Sequence, residues 1–192
     1  MNNNKIVKFD LDPKSIRVKE LLNQDFLEVK IKAISSANPN RNNSHFTLDS
    51  MQKAIPTFYN KPILGSFSVD EDDFRAHEGE LSWDEDNDNL YYDYAYAEGE
   101  VPMGTIRSDD IVQIIHDKKD DLDWIEFTCV IWVKYNYKQV KKLLKSRNGH
   151  KKISVEVEVI DSIIREDGVE EIKEFIFDGV TILGDKYESL EK

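Results

Sequence analysis

The run Ile153–Ile164 alternates apolar and polar residues through most of its length, then passes through Arg165-Glu166-Asp167-Gly168 into a second β-type run, Val169–Phe177. No other feature narrows the fold as much. Period-two alternation sets Val155, Val157 and Val159 on one face of a strand and Ser154, Glu156 and Glu158 on the other. Gly168 supplies the positive φ that a tight turn requires, so the two runs are expected to pair as an antiparallel hairpin. With Ile164 facing Gly168, Val155 falls opposite Phe177 and Val157 opposite Phe175, apolar against apolar. The same register puts Asp178 opposite Ser154, with Glu156 as its neighbour on the same face.

Further strands are expected at Phe26–Ser35, Leu90–Ala97, Trp124–Val133 and Gly179–Leu183, with a short one near Ile6–Leu11. Helices are expected at Leu48–Ile55, capped by Thr47 and stopped near Pro56, at Asp109–His116 and at Tyr137–Ser146. Ile16–Asn23 is ambiguous. Many strands with few helices imply an α+β fold, an antiparallel β-barrel core with a few surrounding helices. At 192 residues and 40% hydrophobic, the chain can bury one core. One domain, 1–192, is expected, with 25–185 as its core and 1–24 and 186–192 peripheral.

Met1-Asn2-Asn3-Asn4-Lys5 carries no apolar leader, and no run approaches the ~18 apolar residues of a membrane span, so a soluble intracellular protein without a membrane partner is expected. Cys129 is the single cysteine and lies in the apolar run Ile125–Trp132, which suits a small buried thiol better than a nucleophile. Between Asp70 and Glu100 thirteen carboxylates face only Arg75, a balance equal to the whole chain's net charge of −12. From Lys134 to Lys152 the sign reverses, with eight basic residues and no acid. There Tyr137, Val140 and Leu144 recur at helical spacing, and Asn148-Gly149 ends the helix behind a basic last turn. One basic helix on an acidic chain lacks the broad positive footprint that nucleic acid requires.

Asp84-Glu85-Asp86-Asn87-Asp88-Asn89 superficially resembles a calcium loop, but Asn89 and Ala95 stand where the loop needs glycine and glutamate. It reads instead as a polar hairpin turn between Trp83 and Leu90. His77-Glu78-Gly79-Glu80 lacks a second histidine at ligand spacing, and neither standard glycine-rich phosphate loop occurs. No metal and no cofactor are expected. His77 is instead a candidate general base for the Ser154 hydroxyl, because imidazole titrates near neutral pH and a serine needs such a base to act as a nucleophile.

Ile34-Ser35-Ser36-Ala37-Asn38-Pro39-Asn40-Arg41-Asn42-Asn43, then Phe46-Thr47, an amphipathic helix and Tyr59-Asn60-Lys61-Pro62-Ile63-Leu64-Gly65, resembles the N-terminal half of tailed-bacteriophage prohead (capsid maturation) serine proteases. Ala76-His77-Glu78-Gly79, Ile153-Ser154-Val155-Glu156 and Phe177-Asp178-Gly179-Val180-Thr181-Ile182-Leu183-Gly184 follow in that family's order. The resemblance spans about residues 26 to 185, and its weight lies in the order of several weak motifs.

It implies a herpesvirus-assemblin-like fold and a serine endopeptidase that cleaves phage scaffold and major capsid precursor proteins in the host cytoplasm, inside the assembling prohead. Ser154 would be the nucleophile and His77 the base. Assemblins orient that base with a second histidine after the serine, but no histidine follows His150 here. Asp178 takes that place by the hairpin register, with Glu156 as the alternative third member. Backbone N–H groups near Gly179 or Gly184 are candidate oxyanion donors. Self-cleavage and homo-oligomerisation stay open. The competing readings are a non-catalytic structural or assembly protein of the capsid on the same barrel, and a binding domain that uses its charged faces.

Overall fold

The computed structural model describes residues 5–11, 16–21, 25–76, 80–84, 89–93, 100–145 and 151–185. The hairpin is present as β12 (Lys152–Ile164) and β13 (Glu170–Leu183). Gly168 adopts φ 83° and its N–H donates to the Arg165 carbonyl at 2.9 Å. The two expected runs Val169–Phe177 and Gly179–Leu183 are one continuous strand. The register differs from the expected one. Arg165 N–H donates to the Val169 carbonyl, so Ile164 faces Glu170 and the connection is longer than four residues. Irregularities further along slip the pairing again, and Ser154 faces Thr181 while Val157 faces Phe177.

β13 is the centre of the sheet. On one side it pairs antiparallel with β12, which pairs in turn with β1 (Lys5–Leu11). On the other side it pairs in parallel with β5 (Pro62–Ser68), followed in order by β9 (Glu100–Thr105), β11 (Leu122–Trp132), β3 (Phe26–Ser35) and β2 (Ile16–Leu21). Shorter strands attach to this path. β4 (Ser44–Phe46) runs parallel to the start of β13, β6 (Asp73–Phe74) pairs with β5, and β10 (Val112–Asp117) pairs with β11. The sheet curls until β3 touches β1 and β12, giving a half-barrel rather than the expected antiparallel barrel, with two parallel pairings at β13. A separate hairpin joins β7 (Glu80–Asp84) to β8 (Asn89–Asp93), with Trp83 opposite Leu90 as expected; residues 94–97 of the expected strand Leu90–Ala97 lie outside the described residues.

Helix α1 (Leu48–Ala54) starts where the sequence indicates, with the Thr47 hydroxyl accepting from Ser50 N–H at 3.1 Å. It buries Met51 and Ala54 and continues into a 3-10 turn, Ile55–Phe58. That turn inserts Phe58 into the curl, stacked on Phe177 at 4.0 Å and tilted against Phe127 at 5.6 Å. Helix α2 (Tyr137–Lys145) is also present, but its buried side chains are Val140 and Leu143, whereas Tyr137 and Leu144 are exposed. Asn136 fixes its start by donating to the carbonyls of Met103 and Trp132.

The helix expected at Asp109–His116 is strand β10. Ile111, Val112, Ile114 and Ile115 form a β-branched cluster that a strand accommodates better than a helix. Asp110 is withdrawn from helix capping by a bidentate bond to Arg107, with Oδ1 2.7 Å from Nη2. A turn in which Asp121 N–H donates to the Asp117 carbonyl at 2.9 Å then returns the chain into β11. Ile16–Leu21, ambiguous in sequence, is an edge strand on β3.

Candidate functional site

Ser154 lies on β12, one strand in from the β1 edge of the sheet, paired with Asp10 of β1 on one side and Thr181 of β13 on the other. It shares a face with Glu156 by strand periodicity, yet it is 2% exposed and Thr181 is 1% exposed. The strand is therefore covered at Ser154, not solvated as the alternation alone suggests, while Lys152, Glu156 and Glu158 on the same face are partly exposed. The Thr181 hydroxyl donates to Glu156 Oε1 at 3.3 Å, so Ser154, Thr181 and Glu156 line one polar strip.

Asp178 is not opposite Ser154. Glu156 pairs with Gly179 and Val157 with Phe177, leaving Asp178 as the extra residue of a bulge. Beside the bulge the Phe177 N–H donates to Thr57 Oγ1 at 3.0 Å, and Gly179 leaves little room for a side chain, since a Cβ there would stand 3.3 Å from the Pro62 carbonyl oxygen. The Asp178 carboxylate, partly exposed, accepts from Lys61 Nζ at 3.0 Å. His77 lies outside the described residues, as do Glu78 and Gly79; the described chain stops before them at Ala76, just after Arg75 N–H donates to the Ser66 carbonyl.

A buried ionic cluster, absent from the sequence reading, links the segments on either side of this strip. Lys151, directly before β12, is 1% exposed, and its Nζ lies 2.8 Å from both Asp73 Oδ1 and Asp185 Oδ1. Asp73 also accepts from the backbone N–H groups of Phe74 at 2.9 Å and Asp185 at 3.0 Å, while Lys142 of α2 stands 4.0 Å away. Burial pushes the Asp73 carboxyl upward. The Lys151 ammonium and the two backbone donors outweigh that effect and hold it below its usual range. Asp73 and Lys151 belong to the acidic and basic runs of the sequence, where each looks like one more surface charge. The only signal was that two strongly opposed runs exist in one chain.

Other reactive side chains stand elsewhere. Cys129 is fully buried and burial pushes its thiol well above the usual range, consistent with the expected inert thiol. His45 lies beside Glu171 near the turn end of β13, and His116 lies beside Asp123 at 3.2 Å. Among the described residues no three His, Cys, Asp or Glu side chains gather as a metal-ligand group, and no helix is long and apolar enough to cross a membrane.

Fold and site define a mostly β domain, a curled half-barrel with two short helices and a partly buried polar strip on β12 and β13. The model of the YonD N-terminal domain matches residues 25–190, and the chain belongs to that phage-associated family. No curated protein and no solved structure matches the chain.

Proposed function

We propose that the domain is an assemblin-like serine endopeptidase that cleaves scaffold and major capsid precursor proteins inside the assembling phage prohead. The observation that carries this reading is the placement of Ser154 on the polar strip with Thr181 and Glu156, on a strand that follows Ala76-His77-Glu78-Gly79 in chain order. In the proposed reaction His77 accepts the Ser154 hydroxyl proton as Oγ attacks the scissile carbonyl carbon. The imidazolium then protonates the departing amine, leaving an acyl-serine that water hydrolyses with His77 again as base. The hairpin register favours Glu156 over Asp178 as the carboxylate of the site, because Glu156 shares the strip with Ser154 and Asp178 is engaged by Lys61.

The test is a fluorophosphonate probe, with the adduct located by mass spectrometry. Labelling at Ser154 that disappears in His77→Ala, with cleavage of precursor protein lost in Ser154→Ala, supports the reading. An unlabelled Ser154 in a protein that still cleaves its precursor overturns it.

A second reading, a structural or assembly protein of the capsid on the same half-barrel, draws on the 2% exposure of Ser154. Absence of both labelling and cleavage, combined with incorporation of the intact chain into proheads, would favour it.

A further inference from the structure

Helix α2 buries Val140 and Leu143 and leaves its lysine-bearing face exposed. Between it and the turn joining β5 to β6 is a groove of about 400 Å³, lined by Lys138, Lys141, Lys142 and Lys145 on the helix and by Phe67 and Tyr137 among its apolar walls. Val69, also lining it, is 64% exposed and Tyr137 is 65% exposed. Lys142 approaches Asp73 at 4.0 Å. Among the described residues Lys138, Lys141 and Lys145 have no ion-pair partner, in a chain of net charge −12 that holds 38 acidic residues. Their mutual repulsion is left uncompensated where a rearranged surface carboxylate would relieve it.

We propose that this groove is a docking site for an extended acidic segment of a partner polypeptide, with two or more Glu or Asp side chains against Lys138, Lys141 and Lys145 and one apolar side chain beside Phe67 and Tyr137. Charge complementarity fixes the sign of the ligand, and the apolar walls require that it be more than a bare anion. The volume lies near the lower end of the roughly 300–1,000 Å³ of ligand pockets, room for a few side chains. Nucleic acid fits less well. Asp72 lines the same groove and follows Asp70 and Glu71 in the chain, acidic charge that disfavours a continuous row of phosphates while leaving space for discrete carboxylates. Through Lys142, Asp73 and Lys151 the groove is contiguous with the entry to β12, so a segment held there is presented beside the strand that carries Ser154. The docking chemistry does not require Ser154 to be a nucleophile.

The test is fluorescence anisotropy with a labelled peptide of alternating glutamate and leucine, its glutamine–leucine counterpart, and a labelled oligothymidylate of the same length. The acidic peptide should bind saturably and more weakly as salt rises. K138E/K141E/K145E should weaken it at least tenfold with an unchanged melting temperature, since all three side chains are exposed, and K138R/K141R/K145R should retain it. A Ser154→Ala chain should bind as wild type does, which separates failure of the docking site from failure of the protease. Binding unchanged by charge reversal, equal binding of the glutamine–leucine peptide, or tighter binding of the oligothymidylate would each overturn the proposal. So would a change of oligomeric state on charge reversal without any peptide binding, which would assign the groove to a second copy of the chain.

Discussion

Lys151 and Asp73 meet at 2.8 Å, each less than 5% exposed, although one belongs to the most basic stretch of the chain and the other to the most acidic. Their bond ties the strand that begins two residues before Ser154 to the strand that ends three residues before His77. Removing Lys151 leaves Asp73 buried beside Asp185 with only backbone donors and the more distant Lys142. Lys151→Met should therefore cost about 3–5 kcal/mol in urea unfolding, the range for a broken buried pair. K151M/D73L should recover part of that loss. A Lys151→Met chain within 1 kcal/mol of wild type would show the cluster to be dispensable, on the ~1 kcal/mol scale of ordinary substitutions.

The Asp73 carboxyl also sets the direction of an acid effect. Its folded value lies below the ordinary 3.8, so its ionised form stabilises the fold fully above that value, and the contribution disappears as pH falls through the lower folded value. The stability gap between wild type and Asp73→Asn should be widest near neutral pH and should close on acidification. A gap that stays constant across the acid limb of a melting-temperature profile would contradict this.

Glu156 and Asp178 compete for one role, and their surroundings separate them. Glu156→Gln should reduce precursor cleavage by about 10²–10⁴-fold, the span over which orienting acids act. Asp178→Asn loses only a partly exposed ion pair with Lys61, worth ~0–1 kcal/mol, and should stay within a few-fold of wild type. Steady-state cleavage by the two variants decides between them, and the reverse ranking would restore Asp178.

Two glycines should respond differently to alanine. At Gly104 a Cβ would stand 2.0 Å from the Val130 carbonyl oxygen, inside the β9–β11 pairing, and Gly104→Ala should cost about 3 kcal/mol or more. At Gly168 no atom lies within 4 Å and only the φ of 83° resists a side chain, so Gly168→Ala should cost about 1 kcal/mol. Similar losses at both positions, measured by thermal unfolding, would mean that β9 and β11 do not approach as closely as described.

The parts of the fold that read clearly from sequence are those governed by short-range patterns. Thr47 capping α1, the alternation of β12, the ten-residue run of β3 and the turn at Gly168 all depend on neighbours a few positions away. What escaped depends on distant partners. Ile111 to Ile115 has apolar spacing compatible with either period, and pairing with β11 decides it. The hairpin register slipped first at the turn, where Ile164 faces Glu170, and by one more residue at the Asp178 bulge, beside which the Phe177 N–H bonds Thr57, more than a hundred residues earlier in the chain. The motif residues around Ser154 were legible, whereas the burial of Ser154 and the Lys151 cluster arise only once three separated segments converge.

The central position of β13 has a temporal consequence. β4 and β5 are made early, and although β5 has β6 and β9 as nearer partners, the parallel pairing of both with β13 waits for a strand more than a hundred residues later, where Phe46, Phe58 and Ile63 complete their packing against Phe175, Phe177 and Val180. During synthesis the preceding chain leaves the ribosome without the strand that organises it, and closure waits for these long-range parallel pairings. Thr181 arrives opposite Ser154 in that same late step. A nascent chain consequently lacks the completed surroundings of Ser154 until β13 has been translated, so the polar strip is among the last parts of the sheet to be assembled.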